Sequence, residues 1–172
     1  MKISYDKIQD LVDAAAAKSL QIRRDLHQNP ELSEHEVHTS ARVRAELKQL
    51  GIPYRSEIAG HGIKAVLTTK SKEPAVAIRA DMDALPIQEK VDLPFKSQND
   101  GVMHACGHDG HMAMVLELGR RIRTKQALPH NILLLFQPAE ETTGGARRLC
   151  ETGVLERLRV KAVFALHLWP GL

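Results

Sequence analysis

The apolar positions change period along the chain. Between about residues 5 and 27, Ile8, Leu11, Val12, Ala15, Ala16, Leu20 and Ile22 recur at helical spacing. Asn29-Pro30 ends that run. Ser33 and Glu36 have the spacing of a capping box, which opens a second helix to about Leu50, with Gly51 as its stop. The period then shortens. Residues 63–69 and 75–82 read as strands, the second almost continuously apolar, as an interior strand is. Residues 84–103 show no period and read as irregular. Asp109 is placed to cap a long helix to about Lys125, with Met112, Val115, Leu116, Leu118, Gly119 and Ile122 as its buried stripe. Residues 131–137 form another buried strand. A Gly144-Gly145 turn, or a close approach of backbone to a ligand, precedes a short helix over 146–152, and a last strand spans 162–167. Alternating helices and strands predict an α/β fold, a layered sheet with helices on both faces.

Length and composition narrow the classes. A chain of 172 residues suits one domain, and 43% hydrophobic residues can fill a core. Aromatics are only 3%, so that core rests on Leu, Ile, Val and Ala. The net charge is +3 and the basic residues are scattered, which argues against a nucleic-acid partner. Two cysteines make no disulfide framework. No apolar run at the start suits a signal peptide and none is long enough to span a membrane. A cytoplasmic location is expected, where Cys106 stays reduced.

The chemistry is concentrated at four places. Met103-His104-Ala105-Cys106-Gly107-His108-Asp109-Gly110-His111 gathers imidazole, thiol and carboxylate, the donors that bind first-row divalent metals. Asp81-Met82-Asp83, Glu140-Glu141 and His167 follow apolar runs. In an open α/β sheet, functional groups collect where strands end. If the strands are parallel neighbours, these ends converge on one rim. Cys106 and His108 can bite one metal or two adjacent ones. Glu140 and Glu141 are consecutive and point apart, so one can grip metal while the other faces a reacting water. Asp81 and Asp83 share a side, as direct ligands or as supports of a ligand.

Taken singly, Asp-Met-Asp reads equally as a solvated turn or a functional pair, Glu-Glu as a surface pair and His167 as a structural or partly exposed histidine. The Cys106-Gly107-His108 run, flanked by His104 and His111, is the specific signal. His27, His35, His38, His61 and His130 have no cluster in the sequence and read as structural or solvated. Cys150 reads as buried and inert.

Five ordered motifs carry a resemblance: residues 24–33, Arg79-Ala80-Asp81-Met82-Asp83-Ala84-Leu85-Pro86, residues 104–111, Phe136-Gln137-Pro138-Ala139-Glu140-Glu141 and Leu166-His167-Leu168-Trp169-Pro170. Together they resemble the amidohydrolase family of hippurate hydrolase, the auxin-conjugate hydrolases and N-acetyldiaminopimelate deacetylase, aminoacylase-like dinuclear metallopeptidases. The resemblance implies that Cys106, His108, Glu141 and His167 are metal ligands for two divalent ions, zinc or manganese. It implies Glu140 as general base and Asp83 as a supporting acid, with Asp81 where distant relatives have a histidine ligand. The implied reaction is hydrolysis of the amide of an N-acyl amino acid. Family chains are more than twice this long, so residues 1–172 are expected to be an incomplete catalytic domain. The lid and dimerisation domain, the returning catalytic half and a last histidine ligand are expected to be absent. An exposed sheet edge would then favour homo-oligomers or other association. The rival reading is a non-catalytic metal-binding or self-associating module.

Overall fold

The structure, a computed structural model, describes residues 5–67, 72–123 and 128–169. Its elements in chain order are α1 (Tyr5–Gln28), α2 (Val37–Gln49), β1 (Tyr54–Ile58), β2 (Gly62–Leu67), β3 (Val76–Asp81), α3 (His108–Ile122), β4 (Ile132–Gln137), α4 (Gly145–Glu151), α5 (Val154–Arg157) and β5 (Ala162–Ala165). The side chains of Ile8, Leu11, Val12 and Ala15 lie outside the described part, as do Thr69 and Lys125.

The strands form one sheet in the order β1-β2-β4-β3-β5. β3 runs parallel to both β4 and β5, whereas β1 and β2 add an antiparallel edge. From β3 the chain crosses to one neighbouring position, β4, and then returns past β3 to β5. Successive crossovers in opposite directions keep the usual hand only if their helices lie on opposite faces. The packing agrees. Ile22, Leu26, Val43, Leu47, Met112 and Leu116 of α1, α2 and α3 cluster with Leu134 and Phe136 of β4. Leu149 and Val154 of α4 and α5 cluster with Leu133 and Leu135 on the other face. The run Leu133-Leu134-Leu135-Phe136 therefore serves both layers, as a central strand must. Burying each such side chain contributes roughly 1.5–3 kcal/mol. The expected α/β fold with helices on both faces is observed.

Local signals fared differently. Gly51 and Ile52 donate to the carbonyls of Lys48 and Leu47 at 3.0 and 2.9 Å, the paired bonds that close a helix. The Ser33–Glu36 capping box does not form. Glu36 is the N-cap residue of α2 without a side-chain cap bond. Glu31 instead accepts the His38 and Thr39 N–H groups. The Ser33 hydroxyl is taken by Asp83 at 2.6 Å. Asp109 is not a cap either: Gly107 holds that position with φ 85, and Asp109 lies inside the first turn of α3. Leu20, one of the apolar positions at helical spacing in α1, is 46% exposed, and Cys150 is exposed rather than buried. β1 and α5 are elements that the apolar periodicity does not predict. β5 stops at Ala165, two residues before His167. It is an edge strand, with Val163 and Phe164 exposed. Among the described residues no helix is long and apolar enough to cross a membrane.

Candidate metal centre

Register brings the strand ends together. Asp81, the last residue of β3, pairs with Gln137, the last of β4, and Arg79 pairs with Ala165 at the end of β5. Asp83, Glu140, Glu141 and His167 lie just beyond these ends, on one rim of the parallel half of the sheet. The turn at Gly107 starts α3 beneath that rim, so His108 rises into it.

Each candidate side chain has a definite partner. The His108 Nδ1–H donates to the Asp83 carbonyl oxygen at 2.7 Å. Its Nε2 then faces Asp81 Oδ2 at 3.6 Å and Glu141 Oε1 at 3.5 Å. The His167 Nδ1–H donates to the Leu168 carbonyl at 2.7 Å, which turns Nε2 toward Cys106 Sγ at 3.5 Å. A backbone carbonyl on Nδ1 is the arrangement that presents an imidazole Nε2 to a metal. Donor atoms of Cys106, His108 and His167 lie within 4.8 Å of one another, and so do those of Asp81, His108 and His111.

Burial grades across the site. Asp81, Asp83 and His108 form a buried floor, Cys106 is half-buried, and Glu140, Glu141 and His167 are open to solvent. Carboxylates dominate. Burial opposes ionisation of Asp83, but the His108 ring beside it, the Ser33 hydroxyl and the Glu141 and Glu140 backbone hold its carboxyl far below the usual range. Its Oδ1 is buried without a hydrogen-bond partner among the described residues. Burial also pulls the His108 pKa down, but the Asp83 bond and the charges of Asp81 and Asp83 outweigh it and raise the pKa. The Cys106 thiol is pushed up to about 11 by burial, then by its bond to Glu141 and the charges of Glu141, Asp81 and Asp83. A thiol so surrounded stays protonated at neutral pH unless positive charge joins the cluster.

Arg79 is a site residue that no metal-donor pattern in the sequence marks. It stands inside the β3 run, and such a charge needs partners. Its Nε donates to Gln137 Oε1 at 2.8 Å, Nη1 to Asp81 Oδ2 at 2.6 Å and Nη2 to Glu140 Oε2 at 2.6 Å. Gln137 Nε2 donates to the same Glu140 oxygen at 2.7 Å. Glu140 and Glu141 do point apart, one into this clamp and the other toward His108. Gly145 approaches backbone rather than ligand, since a Cβ there would stand 1.7 Å from the Pro138 carbonyl oxygen.

His27 does have a cluster, assembled across the fold behind α3. Its ring nitrogens lie 2.8 Å from Asp109 Oδ2 and 3.2 Å from Glu89 Oε1. Arg23 Nε donates to Asp109 Oδ2 at 2.7 Å. His104 is buried beside this group, with neither ring nitrogen partnered among the described residues.

An α/β sheet with sulfur, imidazole and carboxylate donors gathered at the ends of its parallel strands defines a metallohydrolase-like domain. The sequence profile of peptidase family M20/M25/M40 matches residues 77–172, and the chain belongs to that family. An uncharacterized hydrolase of Staphylococcus epidermidis is 47% identical over 151 residues, 86% of this chain and 39% of that protein. The crystal structure of the Bacillus subtilis YXEP protein, a dinuclear metal binding peptidase from the M20 family, superposes with a TM-score of 0.88 at 41% identity. It covers 93% of this chain and 45% of that one. The aminobenzoyl-glutamate utilization protein of Klebsiella pneumoniae gives a TM-score of 0.73 at 26% identity, covering 96% of this chain and 46% of that one. The chain thus spans about 39% of the length of the curated relatives it matches.

Proposed function

We propose that this chain is the metal-binding part of a hydrolase that cleaves the amide bond of N-acyl amino acids. The observation that carries the reading is the convergence of Cys106, His108 and His167 donor atoms within 4.8 Å, beside Glu141. The donor set fits zinc, and manganese as a substitute. The acid-rich surroundings that hold Cys106 protonated, and the unpartnered Asp83 Oδ1, fit a missing positive charge. Cys106, His108, Glu141 and His167 would hold two divalent ions, with Asp83 supporting His108 and Glu141. When bound, the ions supply Lewis-acid polarisation of a carbonyl and acidify water.

Glu140 carries the proton. Arg79 and Gln137 fix its Oε2, which leaves Oε1 to take a proton from the attacking water. The water oxygen bonds to the amide carbon, and the C–N bond breaks as Glu140 returns that proton to the leaving nitrogen. The products are a carboxylic acid and an amine. The substrate class is supported by the motif resemblance and by the Klebsiella relative's name, since aminobenzoyl-glutamate is itself an acyl group on an amino acid.

The test joins residues 1–172 to the remaining part of the Staphylococcus epidermidis hydrolase and supplies manganese or zinc, with hippurate as probe. Benzoate release is expected, and Glu140→Gln should slow it about a hundred- to ten-thousand-fold with metal content unchanged. A loaded protein that cleaves no N-acyl amino acid would remove the substrate class. Turnover unaffected by Glu140→Gln would remove the base. The second reading, a self-associating metal-binding module, is favoured by the exposed Val163, Phe164, Leu166 and Trp169. Benzoate release by residues 1–172 alone would exclude it, and light scattering reads the association.

A further inference from the structure

Metal affinity at this rim depends on where His167 sits, yet His167 lies beyond the last strand on an exposed tail. Something other than sheet pairing must hold it. Leu168, the next residue, supplies the contact: its backbone N–H donates to His111 Nε2 at 2.9 Å. The other nitrogen, Nδ1, is 2.6 Å from Asp81 Oδ1. A backbone N–H can only donate, so Nε2 is the bare acceptor and Nδ1 carries the proton given to Asp81. Both nitrogens of His111 are committed. It is therefore no metal ligand, although its atoms lie close enough to Asp81 and His108 to suggest one. The ring is 2% exposed and packs against His167 with centroids 4.7 Å apart.

A second observation comes from the glycines at the start of α3. A Cβ on Gly110 would stand 2.6 Å from Leu168 Cδ1, and one on Gly107 would stand 3.2 Å from Leu168 Cβ. The absent side chains leave the seat that Leu168 occupies.

We infer that His111, with Gly107 and Gly110, is a cradle for Leu168 that positions His167 beside Cys106 and so sets metal affinity. Asp81 orients the cradle's ring from below, and Arg79 fixes Asp81 in turn. His111 is a positioning residue. The inference rests on the proposed metal centre but assigns a role outside its ligand set.

Two substitutions separate this role from simple charge balance around Asp81. Gln at 111 keeps an acceptor where Nε2 stands; Asn keeps a donor where Nδ1 stands. We expect His111→Asn to weaken cobalt binding by residues 1–172 by about 10–100-fold, the range for losing a ligand's support. His111→Gln should stay close to wild type. The cobalt–thiolate absorption band of Cys106 reads the affinity. In the metal-free chain, hydrogen exchange at the Leu168 amide should be slow in wild type and His111→Gln and fast in His111→Asn. Circular dichroism checks folding. If His111→Asn does not fold, Gly110→Val carries the test, with the same weakening expected and unchanged affinity counting against the cradle. The reverse order, Asn near wild type and Gln impaired, would overturn the inference and leave only a bond to Asp81. Equal affinities in wild type and both variants would overturn it while the metal centre stands. If the wild-type chain takes up no cobalt, both fall together.

Discussion

Two polar clusters flank the first turn of α3, and they are built oppositely. His108 and Asp109 are neighbours, but a helix sends consecutive side chains about 100° apart. His108 enters the rim, and Asp109 enters the space against α1. Behind the helix, Asp109 and Glu89 are met by Arg23 and His27, and the side chains of Asp109, Glu89 and His27 are at most 3% exposed. Phe95 closes the group, edge-on to His27 and beneath the Arg23 guanidinium at 5.2 Å. On the rim, Asp81, Asp83, Glu140 and Glu141 share one arginine, Arg79, and His108. The rear cluster's acids are met by Arg23 and by His27, whose pKa they raise. Among the described residues, the rim acids outnumber the cations that meet them. Similar residue types are thus a structural bond in one place and, on the proposed function, a receptor for a cation in the other.

The largest effect that would break this contrast is Asp109→Ala. It strips two cationic partners of their buried acid and should cost about 3–5 kcal/mol, which lowers the melting temperature by roughly 10 °C in a chain of this size. Glu141→Gln on the partly open rim should change metal-free stability by less than about 1 kcal/mol. Equal thermal losses for the two variants would mean that the rim, too, is a structural ion cluster.

The second effect reverses the ranking. Glu141→Gln and Cys106→Ser should each weaken zinc binding by more than about 100-fold, beyond the range for losing only a supporting bond. Zinc at a hundred times its Kd should stabilise the wild-type chain by about 2.7 kcal/mol. That gain should vanish in both variants. Calorimetric titration beside thermal melts with and without EDTA reads both. A gain that survives in Cys106→Ser would place the ion elsewhere.

Much of the rim was legible because its residues follow strongly apolar runs. Val76 to Ala80 and Ile132 to Phe136 mark interior strands, and the acids after them mark the strand ends. The rear cluster was not legible. His27 meets Glu89 and Asp109 across 62 and 82 residues, and no local pattern links them. Ser33 and Asp109 were misread for the same reason. Each suits a helix cap locally, but a distant acid claims the Ser33 hydroxyl, and Arg23 and His27 claim the Asp109 carboxylate. β1 escaped notice because Tyr54-Arg55-Ser56-Glu57-Ile58 is a polar edge strand whose side chains are all exposed or half-buried. α5, four residues long, is too short to show a period.

The smallest predicted effect sharpens the contrast through pH. The Asp109 bond raises the His27 pKa above 6.5, and the Glu89 bond adds to it, against the cost of burial. Below pH 6.5 folded and unfolded chains both hold this proton, and its stabilisation is fully present. As pH climbs past 6.5 the unfolded chain releases it first, and stability falls until the folded pKa is passed. One proton gives a slope of at most about 1.4 kcal/mol per pH unit. His104 has the opposite sign. Burial pushes its pKa down to about 4, with the Asp109 charge only partly offsetting this. Between pH 6.5 and 4 the unfolded chain takes a proton that the folded chain refuses, so acidification destabilises. His108 is raised as well and adds to the alkaline fall when no metal is present. The difference between wild type and His27→Asn isolates the rear cluster. In EDTA, the wild-type melting temperature should drop more steeply than that of His27→Asn from pH 6.5 upward. From pH 6.5 down to about 5, above the range in which carboxylates titrate, the two curves should run nearly parallel, because buried His104 refuses a proton in both. Parallel curves above pH 6.5 would show that His27 carries no extra proton in the folded chain, leaving Arg23 as the cation on Asp109 and the Ser97 N–H as the donor to Glu89.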